Sequence, residues 1–171
     1  MRLYLIRHWP VHGGEGICYG QLDLPLAQPL QPEMIAALRR QLPAAAPVFS
    51  SPLQRCRLLA ERLHPAPRLD SRLQELDFGR WEGQPWQSIG AAALDDWIAG
   101  DYNGTAHGGE SLAVMQQRVW QWANTAAQQT DSAVVVTHAG VIRALWSRHA
   151  PIADCLKQPV PHGEILILDW Q

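Results

Sequence analysis

This chain is poor in cysteine and shows no metal-ligand spacing and no long apolar run. Cys18, Cys56 and Cys155 are an odd number with no CxxC pair. That excludes a disulfide framework and fits a reduced, cytoplasmic setting. No apolar stretch approaches the ~20 residues of a membrane span. The apolar run near the N-terminus is shorter than a signal-peptide core and has no cleavage site behind it, so no membrane partner is expected. The formal net charge is only −2, which argues against nucleic-acid binding through a broad basic surface. His12, His64, His107, His149 and His162 show no HExxH-type spacing, so no metal is expected. There is no P-loop. Gly14-Glu15-Gly16 has Tyr19 where a dinucleotide-binding loop needs its third glycine. Trp86-Gln87-Ser88-Ile89-Gly90 lacks the first glycine of a nucleophile elbow.

What is present describes a folded α/β domain. The 171 residues are 47% hydrophobic and 18% charged, enough for a sizeable core in one domain spanning 1–171. Leu3-Tyr4-Leu5-Ile6 reads as a strand buried on both faces, closed by Arg7-His8. A Gly/Pro-rich loop of the length usual for functional loops runs from Pro10 to Pro29. Helical spacing covers Gln31 to Leu42. Val48-Phe49 opens a short strand, and Ser50-Ser51-Pro52 reads as strand end, N-cap and first helical residue before a helix to Leu63. Arg68 to Asp70 is a weaker strand, and Gln74 to Gly83 a loop. Helices are expected over Ala91 to Ala99, from Glu110-Ser111 to about Gln128, and from Ala139 to about His149. Ala133 to Thr137 is the clearest internal strand, and Glu164 to Trp170 the last. Strands alternating with helices predict a three-layer α/β/α sandwich on a mostly parallel sheet.

Two strands end alike, in Ile6-Arg7-His8 and in Val136-Thr137-His138. As parallel neighbours they place both histidines at the carboxyl edge of the sheet, where ligands bind in open α/β folds. Arg55 enters the same edge in the first turn of a helix, whose free amides favour anions. Glu75 follows another candidate strand. Two histidines, two arginines and a carboxylate suit phosphoryl transfer, which needs donors around three oxygens, an in-line nucleophile and an acid for the leaving oxygen.

Five blocks now match one family in order. Arg7-His8, Ser50-Ser51-Pro52-Leu53-Gln54-Arg55, Leu73 to Gly83, Gly108-Gly109-Glu110-Ser111 and Val136-Thr137-His138-Ala139-Gly140 resemble the histidine phosphatase, or phosphoglycerate-mutase-like, superfamily. The resemblance implies a phosphoric monoester hydrolase in which His8 is the nucleophile. Arg7, Arg55 and His138 would hold the phosphoryl oxygens, with His138 in the catalytic set. Glu75 would be the proton donor, with Asp77 and Glu82 in the same loop as its rivals. Arginines would supply the positive charge, so neither metal nor cofactor is expected. Two departures stand out: Trp9-Pro10 replaces the usual Gly-Glu, and His107 replaces a proline before Gly-Gly-Glu-Ser. The stretch Gly16 to Leu26 is similar to that of α-ribazole phosphatases. That implies α-ribazole 5′-phosphate as a small-molecule substrate, in assembly of the cobalamin nucleotide loop. A broad sugar-phosphate phosphatase and a non-catalytic phospho-ligand binder are the alternatives. Trp9, Cys18, Tyr19, Gly20 and Glu110 are candidates for substrate contact, with the Trp9 ring placed either in the core or on the pocket wall. The oligomeric state is left open.

Overall fold

The computed structural model describes residues 1–100 and 102–171. Its centre is the strand pair predicted from the two histidine-ended runs. Strand β1, Arg2–Arg7, lies parallel to β4, Ser132–Thr137, with Ile6 opposite Val136 and Arg7 opposite Thr137. Strand β2, Val48–Ser50, is parallel to β4 on its other side, with Ser50 also opposite Val136. This shared register brings His8, Ser51 and His138 to the same sheet edge. Strand β3, Arg68–Leu69, pairs parallel with β2. Strand β5, Ile165–Asp169, closes the other side antiparallel to β1. The order is β3-β2-β4-β1-β5, a mostly parallel sheet.

Alternation along the central strands makes the two outer layers. Leu3, Leu5, Ala133 and Val135 face helices α5, Leu112–Ala127, and α6, Ala139–Trp146. Ile6, Val134 and Val136 face α1, Pro32–Gln41, and α2, Gln54–Leu63. At ~25 cal/mol per Å² of apolar surface buried, these two clusters carry most of the stabilisation. Short helices α3, Trp86–Ile89, α4, Ala91–Ala99, and α7, Ile152–Lys157, border the carboxyl edge with two 3-10 turns, Ser71–Leu73 and Gly79–Trp81. No helix among the described residues is long and apolar enough to cross a membrane.

Two local expectations need correction. Helix α2 begins at Gln54 with Leu53 as its extended N-cap, so Ser51-Pro52 stays outside it. Ser51 Oγ instead accepts the Leu53 amide at 3.3 Å and turns to the site. Helix α6 stops at Trp146, because Arg143 O and Leu145 O already close its end through the Ser147 cap. Ser111 caps α5 as the Glu110-Ser111 opening predicts, its hydroxyl accepting from the Val114 amide at 3.2 Å.

The long loop after His8 is tied down by the loop after β3. Cys18 N–H donates to Gln84 O, Gly83 N–H to Cys18 O and Trp86 N–H to Gly16 O, a short antiparallel zipper. It fixes Tyr19 and Gly20 beside the sheet edge.

Candidate active site

A cavity of about 360 Å³ opens at the carboxyl edge of β1, β2 and β4, and Arg7, His8, Arg55, Glu75 and His138 all line it. Each arrives by a different route: Arg7 and His8 by the exit of β1, His138 by the exit of β4, Arg55 by the first turn of α2, and Glu75 by the 3-10 turn after β3.

His8 is 2% exposed. Its amide donates to Thr137 O at 3.0 Å, prolonging the β1–β4 pairing by one residue. Its Nδ1 lies 2.6 Å from Trp9 O. A carbonyl can only accept, so Nδ1 carries the proton and Nε2 keeps its lone pair. Burial pushes His8 down to about 3, reinforced by the charges of Arg55 and Arg7, while the bond to Trp9 opposes it. The ring is therefore neutral at neutral pH and presents a free Nε2.

His138 is fully buried, with Nε2 2.8 Å from Ser51 Oγ and its ring 5.2 Å from that of His8. Burial first, then His8 and the surrounding guanidinium groups, hold it well below the usual histidine value. Cys56 Sγ touches the same ring at 3.5 Å, and burial pushes that thiol up.

The guanidinium groups are held by main-chain carbonyls, not by carboxylates. Arg55 donates to Gly20 O at 2.6 Å and Leu22 O at 2.8 Å, while Asp23 stands 4.0 Å away. Its charge also lies 5.3 Å from the centre of the Tyr19 ring. Arg7 donates to Val160 O at 2.8 Å. Carbonyls position these cations without neutralising them. The Nε–H groups of both Arg7 and Arg55 are buried with no acceptor among the described residues. An unpartnered buried charged donor costs about 1–3 kcal/mol or more, which an arriving anion offsets.

Glu75 is the one carboxylate among the cavity-lining residues. Its Oε2 accepts from the Gly140 amide and its Oε1 from the Leu76 amide, both at 3.1 Å. A Cβ at Gly140 would overlap the Glu75 carboxyl group and push it from this position. The backbone of Glu75 is fixed from behind. Arg118 donates to the carbonyls of Arg72, Gln74 and Glu75 at 2.8, 2.7 and 3.0 Å. Glu110 pairs with the same guanidinium, Oε2 accepting from Nε at 2.9 Å, and its Oε1 accepts from the Asp77 amide. Asp77 Oδ1 accepts from Gly79 N–H at 2.8 Å, and Glu82 Oε1 from the amides of Gln21 and Phe78 at 2.8 and 3.0 Å. Those two carboxylates are committed to loop structure.

Tyr19 and Gly20 line the cavity, whereas Trp9, Cys18 and Glu110 do not. Cys18 is fully buried in the loop zipper, which raises its thiol to about 12. Glu110 is spent on Arg118. The Trp9 indole packs with the α1/α2 core layer and over Gly163, where a Cβ would come within 2.7 Å of Cζ2. Trp9→Ala should accordingly lower stability by about 3 kcal/mol, the low end of the range for emptying a tryptophan site, since the ring is only partly buried. A thermal melt checks this, and KM ratios between substrates should stay unchanged.

Sequence reasoning passed over two features. Phe78, Trp86, Trp97 and Tyr102 join Ile17 and Met115 as an apolar wall opposite the charged floor. Phe78 meets Trp86 and Trp97 edge-on at 5.5 and 5.6 Å, and Trp97 meets Tyr102 at 4.8 Å. His162 stands behind His8 with ring centroids 5.5 Å apart. The eight tryptophans of the chain are the one sequence signal for the wall, and His162 has none.

Comparison with known proteins agrees with this geometry. The chain is 31% identical to the glucosyl-3-phosphoglycerate phosphatase of Mycolicibacterium vanbaalenii, over 84% of this chain and 72% of that protein. It is 27% identical to a putative phosphoserine phosphatase 2 of Hydrogenobacter thermophilus, over 84% and 76%. The crystal structure of TTHB049 from Thermus thermophilus superposes with a TM-score of 0.75 at 32% identity, covering 99% of this chain and 94% of that one. Residues 3–171 match the family model, and the chain belongs to the histidine phosphatase superfamily, branch 1.

Proposed function

We propose that this protein hydrolyses phosphomonoesters through a phosphohistidine on His8. The observation that carries the reading is the neutral His8, its Nε2 free, in one cavity with two cations whose Nε–H groups lack acceptors. Nε2 attacks phosphorus as the bond to the leaving oxygen breaks. Arg7, Arg55 and His138 surround the phosphoryl oxygens as charge builds on them. Glu75 gives its proton to the leaving alkoxide. It then takes a proton from water, whose oxygen attacks phosphorus and breaks the P–N bond. Inorganic phosphate leaves and His8 returns with its lone pair. Splitting one displacement into two keeps each within reach of the same two groups. Arginine charge makes a metal unnecessary in this scheme.

We further propose α-ribazole 5′-phosphate as the substrate, in a reducing cytoplasmic setting that matches the three free thiols. The aromatic wall of Phe78, Trp86, Trp97 and Tyr102 supports a flat, apolar leaving group, and stacking on such rings contributes about 1–3 kcal/mol per base in nucleic-acid complexes. A sugar phosphate is the second reading, because the mycobacterial relative is named for one. A kcat/KM panel of p-nitrophenyl phosphate, glycerol phosphate, glucosyl-3-phosphoglycerate, phosphoserine and α-ribazole 5′-phosphate, run in EDTA, decides. Preference for the ribazole ester by at least about fivefold is expected from the stacking term. Preference for the glucosyl ester would select the second reading. Binding without turnover on any ester would make the chain a phospho-ligand sensor.

A further inference from the structure

The exit of β1 is braced by the segment between α7 and β5, which carries no regular structure. Val160 O accepts the Arg7 side chain at 2.8 Å, and Gly163 N–H donates to Arg7 O at 2.9 Å. Between them His162 pairs with Arg7 as a parallel bridge, and its Nδ1 lies 2.5 Å from His8 O. The carbonyl accepts, so His162 Nδ1 donates. Next along the chain, Trp9 O belongs to the peptide before Pro10 and takes the Nδ1 proton of His8. Gly163, at φ +71°, leaves room for the Trp9 indole. Two successive carbonyls thus set the aim of the His8 ring: one held by His162, the next holding the ring itself.

We propose that His162 is a positioning residue for His8, fixing the His8–Trp9 peptide and through it the direction of Nε2; this rests on the reading of His8 as nucleophile. His162 is partly exposed and its ring stands 5.5 Å from that of His8, so its contribution falls on the site. It is not among the residues that line the cavity. The Trp9-Pro10 pair is part of the same device. Proline removes an N–H that could compete for nearby acceptors and turns the chain away, and the indole wedges against Gly163.

The test is single-turnover kinetics on p-nitrophenyl phosphate with rapid-quench capture of the phosphoenzyme, alongside steady-state kcat and KM. His162→Ala should slow phosphoenzyme formation by about 10- to 100-fold, the scale of a small misalignment, with KM within about twofold of wild type. His162→Asn retains an N–H that can reach the same carbonyl and should recover most of the rate. If melting shows that His162→Ala does not fold, His162→Leu replaces it in the comparison with His162→Asn. Full-rate phosphoenzyme formation in His162→Ala or His162→Leu overturns the proposal. So does a His162→Asn rate as low as that of the variant without a donor. An inactive wild type would instead overturn the phosphatase reading itself.

Discussion

His8→Ala should reduce turnover of every phosphate ester by about 10⁴-fold or more, about 5.4 kcal/mol of barrier lowering. The expectation follows from chemistry and position together. Nε2 is the one uncharged, unprotonated nitrogen that the neutral His8 ring offers to the cavity, and burial, reinforced by the nearby arginine charge, keeps it so. With wild type and a labelled ester, quenching during turnover should trap an acid-labile, alkali-stable phosphoryl group that His8→Ala lacks. Retained activity in the variant would end the covalent mechanism. A second readout separates loss of chemistry from loss of fold. The unfolded chain protonates His8 at the ordinary 6.5, whereas the folded site resists until about 3. Below 6.5 the unfolded state therefore binds more protons, and acidification through that window costs stability. Urea melts should show His8→Ala losing less stability than wild type as the pH falls through the same range.

The parts of this site legible in the sequence are those set by strand ends. An apolar run that stops at Arg7-His8, and another that stops at Thr137-His138, can only expose those residues at the sheet edge once the strands pair parallel in register. The antiparallel placement of β5 was not legible, because a short apolar run carries no direction. Helices α3 and α7 span four and six residues, too short for a helical period to declare itself. Among Glu75, Asp77 and Glu82, three carboxylates in one loop, nothing local separates the one at the cavity from the two that accept loop amides. Trp9 is opaque for another reason. Its direction depends on Gly163, a partner far along the chain at the other end of the sequence. The same separation hides His162.

The wider frame behind Glu75 explains why a loop can hold this cavity-lining carboxylate steady. Loops are mobile when their backbone amides and carbonyls go to water. Here Arg118, on the long helix α5, takes three carbonyls around Glu75, and its charge is answered by Glu110. Glu110, a candidate for substrate contact, acts one step back from the cavity. The Gly108-Gly109 pair before it allows close approach: a Cβ on Gly109 would overlap Asp77 O.

Glu75→Gln should separate substrates by their leaving groups. An alkyl alkoxide is a strong base and needs a proton as the P–O bond breaks; p-nitrophenolate is stable without one. General acid catalysis contributes about 10²–10⁴-fold when the leaving group demands it. Glycerol phosphate turnover by Glu75→Gln should fall by that amount, while formation of the phosphoenzyme from p-nitrophenyl phosphate should fall by no more than about tenfold. The amide is nearly isosteric but keeps one acceptor oxygen where Glu75 uses two, for Gly140 and for Leu76, so the melting temperature should fall by a few degrees with the fold retained. Dephosphorylation also needs a base, so steady-state p-nitrophenyl phosphate turnover should show a burst of nitrophenol followed by a slow phase. The burst amplitude would equal the enzyme concentration. Asp77→Asn and Glu82→Gln keep the one oxygen that takes the loop amides, Oδ1 from Gly79 and Oε1 from Gln21 and Phe78, so they should leave stability and both esters nearly unchanged. Equal losses on the two esters in Glu75→Gln, with no burst, would strip Glu75 of the acid–base role. A leaving-group effect in Asp77→Asn or Glu82→Gln would move the role to that residue, despite its distance from the cavity wall.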